Sequence, residues 1–238
     1  MNKQVAEMNY LYNASVVEKE FSTERLLQCL KEEHMYPIEG MIKQYERYEH
    51  MIKESESIEE VFFILSGCII ASKGKMRTPY LYGSQDIIGL ENLTMESQSS
   101  YSFEVISDKV KVMKYKKEDV IKKLFNTQEG YLYHYVYMQD RFKQIVRREQ
   151  LLRLNAEERV GSALIILSER YGERIVSSTI FRFPKSINKG LLARYTNLNP
   201  NTITNVLQKL HQENILSRNQ KGLYVDISIL KAKIAHMF

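Results

Sequence analysis

With only two cysteines among its 238 residues, the chain has neither a disulfide scaffold nor a four-cysteine zinc or iron–sulfur site. The two thiols, Cys29 and Cys68, are expected to be reduced. Ten glycines and four prolines are too few for a collagen-like or low-complexity chain, and 44% hydrophobic with 26% charged residues argues against wholesale disorder. Long apolar runs are also missing. The longest, VFFILSGCIIA at 61–71, is too short to span a bilayer, and the opening MNKQVAEMNYLYNASVVEKE carries no continuous apolar segment of the secretory kind. A soluble, cytoplasmic protein is therefore expected. No HExxH motif, Gly-rich phosphate loop or Ser-His-Asp neighbourhood occurs, and the five histidines are isolated, so the sequence offers an enzyme reading little support.

What is present is unevenly distributed. The net charge is +5, but residues 1–150 hold 21 Lys and Arg against 23 Asp and Glu, while residues 151–238 hold 13 against 6. A basic last third suits either a solvated positive face or a surface that meets a polyanion, nucleic acid above all.

Texture divides the chain into three. Residues 23–34 place Leu26, Leu27 and Leu30 at helical spacing behind a Ser22/Thr23 cap. From about 38 to 117 come short apolar or alternating runs, VFFIL, CIIAS, MRTPYLY, SFEVIS and KVMKY, punctuated by Gly67, Gly74, Gly83 and Gly89. They predict a small antiparallel sandwich or barrel. After Lys117 a helical signal runs for some thirty residues without proline, with Tyr131, Tyr135, Met138, Phe142 and Ile145 at steps of four, three, four and three. Such a heptad seam packs against either a second copy or the chain's own barrel. A further helix is expected at 156–172, burying Val160, Ala163, Leu164 and Leu167.

The segment INKGLLARYTNLNPNTITNVLQKLHQENI, 187–215, carries the most specific signal. Asn188 caps a helix over about 189–196, Asn197 tolerates the left-handed backbone of a tight turn, Asn199 caps again, and Pro200 occupies a first helical position where no N–H is needed. The second helix, about 200–213, would bury Ile203, Val206, Leu207 and Leu210. Its opposite face presents Asn201, Thr204, Asn205 and Gln208 together. TIFRFP before this pair and ILSRNQKGLYVDI after it read as strands, which makes the unit a winged helix-turn-helix. Lys185, Lys189, Arg194, Lys209, Arg218 and Lys221 are its candidate phosphate contacts, and the four polar residues are its candidate base readers.

This order of parts resembles the Crp/Fnr superfamily, the cyclic-AMP receptor protein and fumarate–nitrate regulator group of bacterial transcription factors. VFFILSG at 61–67, LNAEERVGSALIILSERYG at 154–172 and NPNTITNVLQKLHQENIL at 199–216 carry the resemblance, which covers nearly the whole chain. It implies an α+β fold with a cyclic-nucleotide-binding-like β-barrel of jelly-roll type over 1–117, a dimerisation helix over 118–152 and a winged helix-turn-helix over 153–238. The implied function is that of a homodimeric DNA-binding regulator on an imperfect inverted repeat, with RNA polymerase as a partner if it activates. The alternative is a protein-interaction module with a degenerate barrel and no DNA binding. Two departures bear on the effector. Cyclic-nucleotide members carry Gly-Glu-Leu and, some ten residues on, an Arg-Ser whose arginine neutralises the phosphate, but GLENLTMESQSSYSF at 89–103 lacks the cation, and no Lys or Arg stands between Arg77 and Lys109. Cyclic AMP is thus not the expected effector, and no cofactor is identified. Iron–sulfur members need clustered N-terminal cysteines, and only Cys29 stands there. His34, His50 and His134 remain as haem-ligand candidates, and Cys29 is a better redox candidate than Cys68, which sits in an apolar strand. In the resembled members the places of Pro200, Asn201 and Asn205 are typically held by Arg or a small residue, Glu, and Arg, which read G·C pairs. Their absence here implies a half-site richer in A·T.

Overall fold

The computed structural model describes residues 13–32, 36–74, 79–219 and 222–235. Lys221, Arg77 and His34, named above, lie outside the described residues. Among the described residues two short helices come first: α1 (Ala14–Glu20), capped by Asn13, and α2 (Thr23–Lys31), capped by Ser22 and burying Leu26, Cys29 and Leu30. Eight strands follow: β1 (Met41–Glu46), β2 (His50–Ile52), β3 (Glu60–Ser66), β4 (Ile69–Ser72), β5 (Tyr80–Tyr82), β6 (Ile87–Ile88), β7 (Ser102–Val105) and β8 (Lys109–Lys116). They form two antiparallel four-stranded sheets, ordered β1-β8-β3-β6 and β2-β7-β4-β5. These face each other across one shared apolar layer containing Phe62, Ile64, Tyr82, Phe103, Val110 and Val112. The unit is a two-sheet sandwich whose interior is filled with side chains.

The run VFFIL is apolar throughout because β3 is covered on both faces. Phe62 and Ile64 enter the layer between the sheets, while Val61 and Phe63 pack with Leu26, Leu30, Val120, Leu124 and Tyr137 of the helices. Gly67, which follows, has φ +95°, and a Cβ there would lie 2.4 Å from the Lys109 carbonyl oxygen. Only glycine fits that corner. Strand β1 escapes sequence reading for the opposite reason: it is an edge strand whose Met41 and Ile42 are exposed, so it shows no alternation.

The single long helix expected after Lys117 is two helices, α3 (Lys117–Asn126) and α4 (Tyr131–Arg153). The break falls at Thr127–Gly130, where Glu129 adopts φ +58°. A Cβ on Gly130 would meet the Leu124 carbonyl oxygen at 2.1 Å. Missing proline thus misleads; a turn built on Glu129 and Gly130 ends the helix as effectively. Helix α5 (Ala156–Tyr171) opens with a capping box between Asn155 and Glu158. Beyond it lie β9 (Glu173–Arg174), β10 (Ile180–Arg182), α6 (Lys189–Thr196), α7 (Pro200–Gln212), β11 (Leu216–Asn219), β12 (Gly222–Asp226) and α8 (Ile227–Ala235), with the strands in one antiparallel sheet ordered β11-β12-β10-β9. Among the described residues no helix is long and apolar enough to cross a membrane.

One apolar cluster joins Cys68, Ile70 and Leu81 of the sandwich to Leu164, Leu167, Leu192 and Ile203 of the C-terminal part. A polar tie sits beside it. Asp86, 5% exposed in the turn between β5 and β6, forms an ion pair with Arg170 of α5 and accepts a 2.7 Å hydrogen bond from the Gly83 N–H. Arg170 also reaches Asp140 of α4 at 3.1 Å, and the Tyr171 hydroxyl donates to the Leu81 carbonyl at 2.8 Å. The Tyr171 ring leaves no room at Gly83, where a Cβ would stand 2.6 Å from it. Asp86→Ala would leave the partly buried Arg170 with Asp140 alone, and we expect it to cost about 2–4 kcal/mol in urea unfolding of the full chain. Asp140→Ala, which removes a half-exposed partner, should cost less.

Candidate nucleic-acid interface

The helix pair is positioned by its caps. The Asn188 side chain accepts from the Leu191 N–H at 3.0 Å to start α6, and Asn197, at φ +53°, ends it, with the Leu198 N–H returning to the Ala193 carbonyl. Asn199 accepts from the Asn201 N–H at 2.9 Å, and Pro200 opens α7. Ile203, Val206 and Leu210 are buried against the core, whereas Leu207, expected with them, is half-buried and lines a groove.

That groove, about 540 Å³, runs between α7, the start of α6 and strand β11. It brings together Lys185, Lys189, Thr204, Gln208 and Arg218 from the sequence-read set, and none of the described residues lining it is acidic. Asn201 and Asn205 are exposed on the same α7 stripe, at the i, i+3, i+4, i+7 spacing of 201, 204, 205 and 208. The Thr204 hydroxyl donates to the Pro200 carbonyl at 2.8 Å, so its role toward a ligand is that of an acceptor. Two expected cations stand elsewhere. Arg194 is exposed on α6 outside the groove lining. Lys209 turns the other way, its Nζ 2.6 Å from Glu157 Oε2 of α5; Lys233 of α8 joins Glu157 at 2.9 Å and Glu213 at 2.6 Å. The lining also includes His211 and Asn219. His211 was legible as the next position of the Thr204 stripe, seven residues on; Asn219 reaches the groove only through the pairing of β11 with β12.

The seam on α4 divides. Tyr131 (61%), Tyr135 (53%), Phe142 (63%) and Ile145 (46%) are exposed on the single chain, but Met138 packs against the cluster around Phe63 and Leu90. Leu132, Tyr137, Arg148 and Leu151 form the buried side of the same helix.

The sandwich holds against it a cation from outside 78–108. Arg141 comes from α4, its guanidinium carbon 4.4 Å from the Tyr82 ring centroid, with hydrogen bonds to the Tyr82 hydroxyl and, at 3.1 Å, to Gln144 Oε1. Gly89, at φ +94°, donates its N–H to Glu91 Oε2 at 2.9 Å. Both thiols are buried, and burial pushes the pKa of each up, which disfavours the reactive thiolate at both positions. His134 has Nε2 3.1 Å from the Leu90 carbonyl oxygen, and burial lowers its pKa; His50 opens β2 on the surface. Among the described residues no group of three His, Cys, Asp or Glu side chains is placed to hold a metal ion.

No protein-family model matches the chain, and no curated protein matches its sequence. Solved structures do match its fold. FixK2 from Bradyrhizobium japonicum superposes with a TM-score of 0.71 at 17% identity, over 82% of this chain and 97% of that one. A cyclic nucleotide-binding domain-containing protein from Listeria monocytogenes EGD-e gives 0.68 at 21% identity, over 86% and 96%. A CRP-family transcriptional regulator from Thermus thermophilus gives 0.63 at 14%, over 81% and 96%. The likeness is one of fold: an N-terminal pair of sheets, a long helix and a C-terminal helical part in the same arrangement.

Glu157 links α5 to α7 and α8, and the hydrogen bond from Lys209, then that from Lys233, holds its carboxyl below the usual carboxylate range. A depressed carboxylate stabilises the folded state at neutral pH, and the contribution is lost as pH falls through the folded pKa. The urea midpoint of the wild type should therefore fall more steeply below about pH 4 than that of Glu157→Gln.

Proposed function

We propose that this chain is a sequence-specific DNA-binding transcription regulator of the Crp/Fnr type that works as a homodimer and does not respond to cyclic AMP. The observation that carries this reading is the groove beside α7, where Thr204 and Gln208 meet Lys185, Lys189 and Arg218 and none of the described lining residues is acidic. Lys185, Lys189, Arg194, Arg218 and Lys221 take the phosphates, while Asn201, Thr204, Asn205 and Gln208 read base edges. Amide side chains pair with adenine N6 and N7, so the contacted steps are rich in A·T. The uncovered apolar face of Tyr131, Tyr135, Phe142 and Ile145 is what a parallel second copy covers. Two-fold symmetry then demands inverted half-sites about 10 bp apart or a multiple of it. Indifference to cyclic AMP rests on the cation-free stretch 78–108 and on Arg141 being already engaged with Tyr82 and Gln144.

Selection on randomised DNA tests the reading directly: an A·T-rich inverted repeat is expected, and a G-rich half-site indifferent to Asn201 and Asn205 substitution would overturn it. Asn205→Ala should relax preference at one base pair of each half-site. Arg218→Ala should lower the slope of log affinity against log salt by about 1, whereas Lys209→Ala should leave the slope nearly unchanged because that lysine faces Glu157. Phe142→Glu with Ile145→Glu should shift sedimentation from dimer to monomer and weaken DNA binding with it. Failure to bind any DNA at low salt, with the dimer intact, would favour the protein-interaction reading.

A further inference from the structure

Helix α4 buries an arginine without giving it an acceptor. Arg148 is 7% exposed, and both terminal guanidinium nitrogens, Nη1 and Nη2, are closed off from solvent with no hydrogen-bond partner among the described residues. Its guanidinium carbon lies 4.4 Å from the Tyr80 ring centroid and 5.5 Å from that of Tyr195. Ring faces attract a cation, but they supply no lone pairs in the plane of the fork, and a buried guanidinium with two unbonded amino groups is poorly compensated.

A cavity of about 180 Å³ adjoins this side chain. Its walls are aromatic and apolar, with Tyr80, Leu81, Tyr171 and Tyr195, and its charged lining is mostly positive. Of that lining, Arg170 is held by Asp86 and Asp140, and Glu169 is bonded to Lys231 at 3.0 Å. Arg147 and Arg148 add two further guanidinium groups. The planar fork of a guanidinium matches the two oxygens of a carboxylate, and an apolar cavity of about 150 Å³ is enough for a benzene ring.

We propose that this cavity is a binding site for a small organic carboxylate, whose two oxygens are taken by Arg148 and whose flat apolar body lies among the tyrosine rings. The rings of Tyr80 and Tyr195 flank the Arg148 guanidinium, whose nitrogens are closed off, so binding a carboxylate requires Arg148 or its neighbours to shift. Tyr80 belongs to β5 of the sandwich, Arg148 to α4, and Tyr195 to α6 of the helix pair. Occupation therefore bears on the seat of α6 and α7, and this coupling half of the proposal rests on the DNA-binding reading; the binding half does not.

Benzoate is a suitable probe, with neutral benzamide as its control. Isothermal calorimetry on the full chain should give saturable benzoate binding, at least tenfold weaker binding of benzamide, and at least a tenfold loss of benzoate binding in Arg148→Met, with Arg148→Lys between. Absence of saturable binding to the wild type at tens of millimolar, or equal binding by Arg148→Met, would overturn the site. Ile166→Trp, which fills the cavity while leaving Arg148 in place, keeps the test decisive if Arg148→Met does not fold; retained benzoate binding there also counts against the proposal. DNA affinity measured with and without benzoate separates the two readings. A several-fold change absent in Arg148→Met supports the coupling, and an unchanged affinity despite saturable binding refutes it. Loss of DNA binding under all conditions with benzoate binding intact indicts the DNA-binding reading alone.

Discussion

A carboxylate with almost no access to water has to be given a cation and donors, and Asp86 obtains them from two separate parts of the chain. Its own turn supplies the Gly83 N–H, α5 supplies Arg170, and α4 approaches through Asp140, which shares Arg170. The apolar cluster that runs from the sandwich into the C-terminal part contributes the bulk of the burial, but apolar contact is non-directional and tolerates sliding. The ion pair and its hydrogen bonds are directional. They fix where α5 sits against β5, and α5 in turn carries the packing of α6 and α7.

Helix α4 serves three environments at once, which explains its mixed composition. Its buried side carries Leu132, Tyr137 and Leu151 and also sends Arg141 and Arg148 onto tyrosine rings of β5, while another side leaves Tyr131, Tyr135, Phe142 and Ile145 uncovered. Exposed aromatic and aliphatic groups aligned over that length are a liability for an isolated chain and an asset for a paired one. Met138 lies on the same stripe but is half-buried against the cluster around Phe63.

Around the helix pair, charge is sorted by partner rather than by amount. Lys209 and Lys233 are basic residues of the C-terminal part that serve as internal ties through Glu157 and Glu213, while Lys185, Lys189 and Arg218 surround a groove without acidic lining. A net count of cations along the last third does not distinguish these two uses. The same holds for the sandwich, where the cation near Tyr82 comes from Arg141, far along the chain from the stretch in which a sequence reader looks for it.

Signals confined to a few neighbouring residues were legible in the sequence. Asn188, Asn197, Asn199 and Pro200 write the two helices and their turn almost residue by residue, because caps, left-handed turns and a first-position proline act on backbone groups within four residues. The run VFFIL with Gly67 likewise declares a strand and the break after it, while its coverage on both faces came from the fold. Strands β1 and β6, the turn of Lys209 toward Glu157, and the burial of Arg141 and Arg148 were decided by tertiary structure alone. Each depends on what packs around it in the fold, and the energy of a buried charge or an edge strand is set by those surroundings, which no local pattern of residues contains.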